Sequence, residues 1–209
     1  MAEQFLPLSQ LWQPLATLIL ASLVVMGSPG PATMSVTALG ASFGFRRSVP
    51  YLAGIVLGTT AVLLAVAAGL VSMLLSAPRL APVLLALSAG YIVYLAFRIA
   101  TAPPLSRQEG KARPPSFPGG FLLAIANPKA YLAIAAVFAG TRLPLGSALA
   151  EAALKTIVLT VMIVLIHLAW LLAGASLSRV LRHPTVSRIV NLLFAAILIG
   201  TTLIALASR

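Results

Sequence analysis

The sequence predicts an all-α integral membrane protein of six transmembrane helices, arranged as two inverted three-helix repeats with helices one and four broken. Composition, the spacing of apolar runs and a matched pair of Gly/Pro breaks carry that prediction. The 209 residues are 60% hydrophobic and only 8% charged, whereas a soluble domain carries roughly 25% charged residues. Most of the surface must therefore face lipid. Apolar stretches of about 18 residues or more cross a hydrocarbon core as helices, and the alternation that a membrane barrel requires is absent.

The elements follow in chain order. Met1 to Gln4 lacks the Lys or Arg that opens a signal peptide, and the apolar region after it is too long for one, so this end reads as uncleaved. Phe5, Leu8, Leu11 and Trp12 form a short interfacial stretch with the indole at headgroup depth. Spans then read near 14–43, 49–75, 81–101, 118–140, 147–177 and 186–207. The first and fifth exceed what a perpendicular helix needs, so tilt, a break or an interfacial extension absorbs the excess. A single membrane domain over 1–209 divides into a first repeat (12–101), a cytoplasmic linker rich in Pro, Arg and Lys (102–117) and a second repeat (118–209). Three spans is an odd number, so the second half enters the membrane upside down relative to the first.

Charge sets the orientation. The formal net charge of +11 lies in short gaps between apolar runs rather than on one face or in an arm, which is the positive-inside pattern and not a nucleic-acid surface. Arg46, Arg47, Arg98, Arg107, Lys111, Arg113, Arg179, Arg182 and Arg188 fall on one side; Arg79, Arg142 and Arg209 fall on the other. Nine against three puts the first set in the cytoplasm of a bacterial inner-membrane protein and both termini in the periplasm.

Chemistry is bounded by what the chain lacks. There is no Cys and no Asp; the acidic residues are Glu3, Glu109 and Glu151, and the histidines are His167 and His183. A disulfide framework, a thiolate zinc site, a cysteine nucleophile and paired-carboxylate catalysis are excluded. The expectation is a protein with no cofactor, no metal site and no enzymatic activity.

Span one is interrupted by Gly27-Ser28-Pro29-Gly30-Pro31 and span four by Asn127-Pro128-Lys129. Matched breaks of this kind are the strongest sequence pointer to a transport site. Proline lacks the amide hydrogen, opens the helix upstream and suits the first turn of a new one. Pro31 and Pro128 thus start half-helices whose free amides and positive dipole ends can hold a substrate carboxylate. Asn127 reads as an N-cap, and Thr33 and Ser35 place hydroxyls near the first break. The plain alternative is that both prolines only kink their helices. About 16 apolar residues precede Pro31 after Pro14, but only about ten precede Pro128 after Pro118, so the repeats differ in length there.

Lys129 lies deep in span four, where a charge costs a few kcal/mol and faces a cavity or partner. It reads as a carboxylate counter-ion or a proton-exchanging amine, with snorkelling to the interface as the alternative. Glu151 and Lys155 lie four apart and form a structural pair or a coupling site, the former favoured. His167 reads equally as a packing residue or a proton relay. Gly54 and Gly58 form a GxxxG that signals close helix packing more than ligand contact. Gly90, Tyr91, Tyr94 and Arg98 read as interfacial anchors.

The order Gly30-Pro31, Gly44-Phe45-Arg46-Arg47, Gly54-Ile55-Val56-Leu57-Gly58, Gly69-Leu70, Gly90-Tyr91-Ile92-Val93-Tyr94-Leu95, Phe121 and Asn127-Pro128-Lys129-Ala130 resembles the lysine exporter (LysE/RhtB) family of amino-acid effluxers over nearly the whole chain. The resemblance implies export of amino acids or related metabolites from the cytoplasm, driven by protons, by an oligomer such as a homodimer. It carries the site role onto Gly30, Pro31, Asn127, Pro128 and Lys129. Many relatives have an acidic or strongly polar residue shortly after the glycine matching Gly58, where this chain has Thr59 and Thr60.

The combined expectation is alternating access about a midplane site. Half-helix amides and Lys129 hold the carboxylate, while Thr33, Ser35, Asn127, Thr59 or Thr60 contact the amine. Lys129, His167 and Glu151 are the coupling candidates. With no anion deep in a span, neutral amino acids are favoured over cationic ones. The rival readings are a metal-ion effluxer, a membrane hydrolase built on His167 and a serine, and a non-catalytic scaffold.

Overall fold

The computed structural model of the chain describes residues 11–69, 90, 93–94, 96–97, 100–101, 116–177 and 184–207. Among the described residues seven helices follow in order: α1 (Trp12–Val25), α2 (Pro31–Phe43), α3 (Phe45–Ala67), α4 (Phe117–Ala126), α5 (Pro128–Gly140), α6 (Ala148–Leu177) and α7 (Pro184–Ala207). The linker, most of the third span and the interfacial stretch before Leu11 lie outside the described residues. α3 and α6 are each long and apolar enough to cross a membrane. The α4–α5 pair, bent by 62°, makes a third crossing if taken as one broken span.

The breaks fall where local chemistry requires them. A residue before proline is pushed out of the α region, and both Gly30 (φ −171°, ψ 179°) and Asn127 (φ −81°, ψ 104°) are extended. The half-helices before the breaks have 14 and 10 residues, so the two breaks sit at unequal depth along their spans.

The surface is apolar where that of a soluble protein is polar. Leu57 and Leu64 on α3, Leu132 on α5, Ile157 and Leu172 on α6 and Leu193 on α7 are exposed, as a lipid-facing surface requires. The interior holds Thr33, Ser35, Thr37, Ser42, Thr59, Asn127 and His167. α2 is its centre, with all 13 residues buried; α1 buries only Leu18 and Ser22.

Small residues set the closest helix approach. A Cβ on Gly54 would meet the Phe117 carbonyl, one on Gly58 would stand 2.7 Å from the Ala124 Cβ, and one on Gly120 would meet the Tyr51 carbonyl. The GxxxG of α3 therefore works as a packing face against α4. α3 rests chiefly on α4 and α6 chiefly on α2.

One end of the bundle gathers three sequence gaps. Ser42 Oγ is 3.2 Å from Asn191 Oδ1, and Arg188 Nη1 donates to the Ala100 carbonyl at 3.2 Å. The exposed Arg46 and Arg47 follow α2 at this end, so these basic gaps of the sequence share one face of the bundle. Arg98, Arg107, Lys111, Arg113, Arg179 and Arg182 lie outside the described residues.

Candidate functional site

A broken helix leaves carbonyls at the end of its first half and amides at the start of its second without helical partners. At the first break four carbonyls are answered by side chains. Ser28 Oγ donates to Val25 O at 2.8 Å, Trp170 Nε1 on α6 to Gly27 O at 3.1 Å, and Lys129 Nζ on α5 to Ser28 O at 2.5 Å and Pro29 O at 2.9 Å. The same ammonium also donates to Ser28 Oγ at 2.7 Å. Lys129 thus reaches from the second break into the first.

The amides behave differently at the two breaks. At α2, Thr33 Oγ1 accepts from Gly30 N at 2.9 Å and donates back to Gly30 O at 3.1 Å, while the Ala32 and Thr33 amides are first-turn donors with no carbonyl four residues earlier in the helix. At α5, Asn127 is the N-cap foreseen from sequence: its Oδ1 accepts from Lys129 N at 3.2 Å, and its carbonyl accepts from Ala130 N at 3.0 Å. Pro128 has no amide hydrogen, so the first turn of α5 is already satisfied. The expectation of free amides after both prolines is corrected to one such end, at α2, because the Asn127 cap and carbonyl consume the donors of the other.

A cavity of about 30 Å³, room for one or two waters, lies at the junction. It is lined by Met26, Gly30, Ala32 and Thr33 from the first break, Thr59 from α3, Asn127, Lys129, Ala130, Ala133 and Ile134 from the second, and His167 from α6. Thr59 is 4% exposed, and its Oγ1 is the one buried side-chain polar atom without a hydrogen-bond partner among the described residues. His167 Nδ1 lies 2.8 Å from Ile163 O. A carbonyl only accepts, so Nδ1 carries the proton, which leaves Nε2 as the acceptor of the neutral ring.

Of the residues singled out from sequence, the structure brings Gly30, Thr33, Asn127, Lys129, Thr59 and His167 to one cavity. Pro31 and Pro128 shape the breaks without lining it. Ser35 lies beyond it, its hydroxyl donating to Ala32 O at 2.8 Å and accepting from Tyr51 Oη at 3.1 Å. Thr60, next to Thr59 on α3, is half-buried and outside the lining. Glu151 is 16 residues before His167 on α6, about 24 Å along the helix. Its carboxylate pairs with Lys155 Nζ at 2.6 Å and accepts from Leu143 N at 3.1 Å. Lys155 Nζ also donates to Phe138 O at 3.0 Å, one of the last carbonyls of α5. The pair that the spacing of four allows is formed, and it ties α6 to the end of α5.

Sequence reasoning missed the acceptors: Ser28, Pro29 and the Gly27 carbonyl with its Trp170 partner. The signal was present, because a helix broken by Pro29 and Pro31 must orphan carbonyls upstream as surely as it frees amides downstream.

Comparison with known proteins gives a consistent picture. The family model described as LysE type translocator matches residues 23–208. The cysteine/O-acetylserine efflux protein of Escherichia coli strain K12 is 31% identical over 179 residues, covering 85% of this chain and 90% of the relative. The protein of the same name from Shigella flexneri matches with the same identity and coverage, and that of Escherichia coli O1:K1 is 30% identical over the same length. No solved structure matches the chain significantly.

Proposed function

The chain belongs to the LysE type translocator family, and from that premise we propose that it exports small neutral amino acids across the bacterial inner membrane in exchange for protons. The relatives are named for efflux of cysteine and O-acetylserine, both zwitterions with short uncharged side chains.

The observation that carries the reading is the junction at residues 26–30. The negative dipole end of α1 meets the positive dipole end of α2 there, beside the cavity. Cations are favoured at a helix C-terminus and anions at an N-terminus, so the break matches an amino acid with its ammonium and carboxylate held a few ångströms apart. The carboxylate takes the Ala32 and Thr33 amides and the orphaned Thr59 hydroxyl. The side chain lies along Ala130, Ala133 and Ile134, whose small lining favours short substrates.

Proton exchange is assigned to His167, whose Nε2 can take a proton in the same cavity that holds the substrate. Proton binding there adds a cation beside Lys129 and weakens the hold on the substrate's ammonium, which couples release to proton entry. Alternating access is the movement of the halves about this junction. α2 and α4, the halves nearest the basic end, pack tightly on α6 and α3, while the cavity is lined by the first turn of α2 and by α5, with Thr59 and His167 beside them. On this reading the site is closed toward the cytoplasm, in a bundle of six spans with inverted halves.

The test is counterflow in liposomes. Vesicles preloaded with unlabelled cysteine, O-acetylserine or serine should concentrate the labelled compound transiently, and loading with lysine or arginine should not support it. Counterflow of cationic but not neutral amino acids, or of none, would overturn the assignment.

A further inference from the structure

The ammonium of Lys129 has three donors, and three oxygens receive it: Ser28 O, Ser28 Oγ and Pro29 O. Among the described residues its hydrogen-bond partners include no carboxylate. A primary ammonium is thus held by neutral oxygens at the negative end of α1, on the cation side of the junction read above as the zwitterion site. Nothing stands between the lysine stem and this cage, because residue 30 is glycine. A Cβ there would lie 2.6 Å from Lys129 Cδ and 2.9 Å from Nζ.

We propose that this oxygen cage is the ammonium subsite of the transport site, and that Lys129 is an internal ligand which occupies it until a substrate's own ammonium displaces it. The proposal rests on the amino-acid reading for the identity of the displacing group. The exchange is of like for like. One primary ammonium replacing another leaves the part-buried Ser28 O and the Pro29 O with a charged N–H donor before and after. An empty cage, or a substrate without N–H donors, gives up the charge-assisted hydrogen bonds to Ser28 O and Pro29 O. The remaining cavity, sized for one or two waters, fits a site already filled from within. Displaced, the lysine charge is free to meet the substrate carboxylate, so Lys129 serves the amine end of the site in one state and the acid end in the other.

Two measurements test this. In the purified Lys129→Ala protein, n-propylammonium, which replaces the truncated end of the side chain, should raise the melting temperature saturably. It should leave wild type unchanged, and tetramethylammonium, a cation without N–H donors, should do nothing to either. The second measurement uses wild type: N,N-dimethyl derivatives of a transported amino acid, which keep one N–H donor of three, should compete in counterflow at least about tenfold more weakly than the primary amine, since each charge-assisted hydrogen bond lost is worth about tenfold or more. Equal effects of both cations on the variant, or equal competition by the methylated compound, would overturn the cage. Amino-acid counterflow with a failed rescue sinks the cage and leaves the transport reading standing. Rescue without amino-acid counterflow keeps the ammonium site and removes the amino acid as its ligand.

Discussion

Lys129 and Gly30 share one space: the lysine stem on α5 runs where any side chain at residue 30 on the first break would stand. Gly30 is extended rather than left-handed, with φ −171°, so alanine is conformationally allowed there and its effect is steric. Gly30→Ala should push the lysine off Ser28 and Pro29. Losing charge-assisted hydrogen bonds of this kind costs about 1.5–3 kcal/mol, roughly a tenfold to hundredfold loss of function. Lys129→Ala should lose as much, and the double variant no more than either alone. Additive losses in efflux assays of the three proteins would show that the two residues act independently.

The orphaned hydroxyl of Thr59 predicts effects of opposite sign on stability and binding. Thr59→Val keeps the shape and removes a buried polar atom that has no partner, so the substrate-free protein should gain about 1 kcal/mol of stability. Substrate affinity should fall, and Thr59→Ser should restore it. Thermal melting and equilibrium binding on the same preparations check both signs.

If His167 takes the proton, His167→Gln should separate two kinds of transport. Counterflow needs no driving force and should persist, whereas accumulation driven by an imposed pH gradient should be lost. Gradient-driven accumulation at the wild-type level in the variant would return His167 to a packing role.

Lys155 is buried and joins Glu151 to the Phe138 carbonyl at the end of α5. Lys155→Met should lower the melting temperature of the purified protein, because the Phe138 carbonyl loses its side-chain donor and the Glu151 carboxylate keeps only the Leu143 amide. The apparent affinity for substrate should not move, since the pair lies far from the cavity. A change in affinity at unchanged melting temperature would make it part of the transport machinery.

Orientation is accessible to labelling because the chain has no native cysteine. With both termini periplasmic, a cysteine at Ser147 should react with an impermeant maleimide in intact cells and one at Ser106 should be protected. The reverse pattern would invert the topology and place the cavity side toward the cytoplasm.

What could be read without coordinates was what neighbours in the chain decide. Pro31 and Pro128 force the residue before them out of the helix, Asn127 caps the turn that Pro128 begins, and Glu151 and Lys155 meet because four residues make about one helical turn. Hydrophobic length alone placed the helix now seen over Ala148–Leu177. Tertiary structure decided everything that joins distant segments. Lys129 lies 101 residues from Ser28, and whether its ammonium faced lipid, water or a carbonyl depended on how α5 packs against the end of α1. Trp170 finds Gly27 across 143 residues, and Thr59 is left without a partner only because α3 turns that face inward at the break. Backbone bonding and apolar burial are local demands written residue by residue, whereas the partner of a buried polar group is chosen by packing, which no single segment specifies.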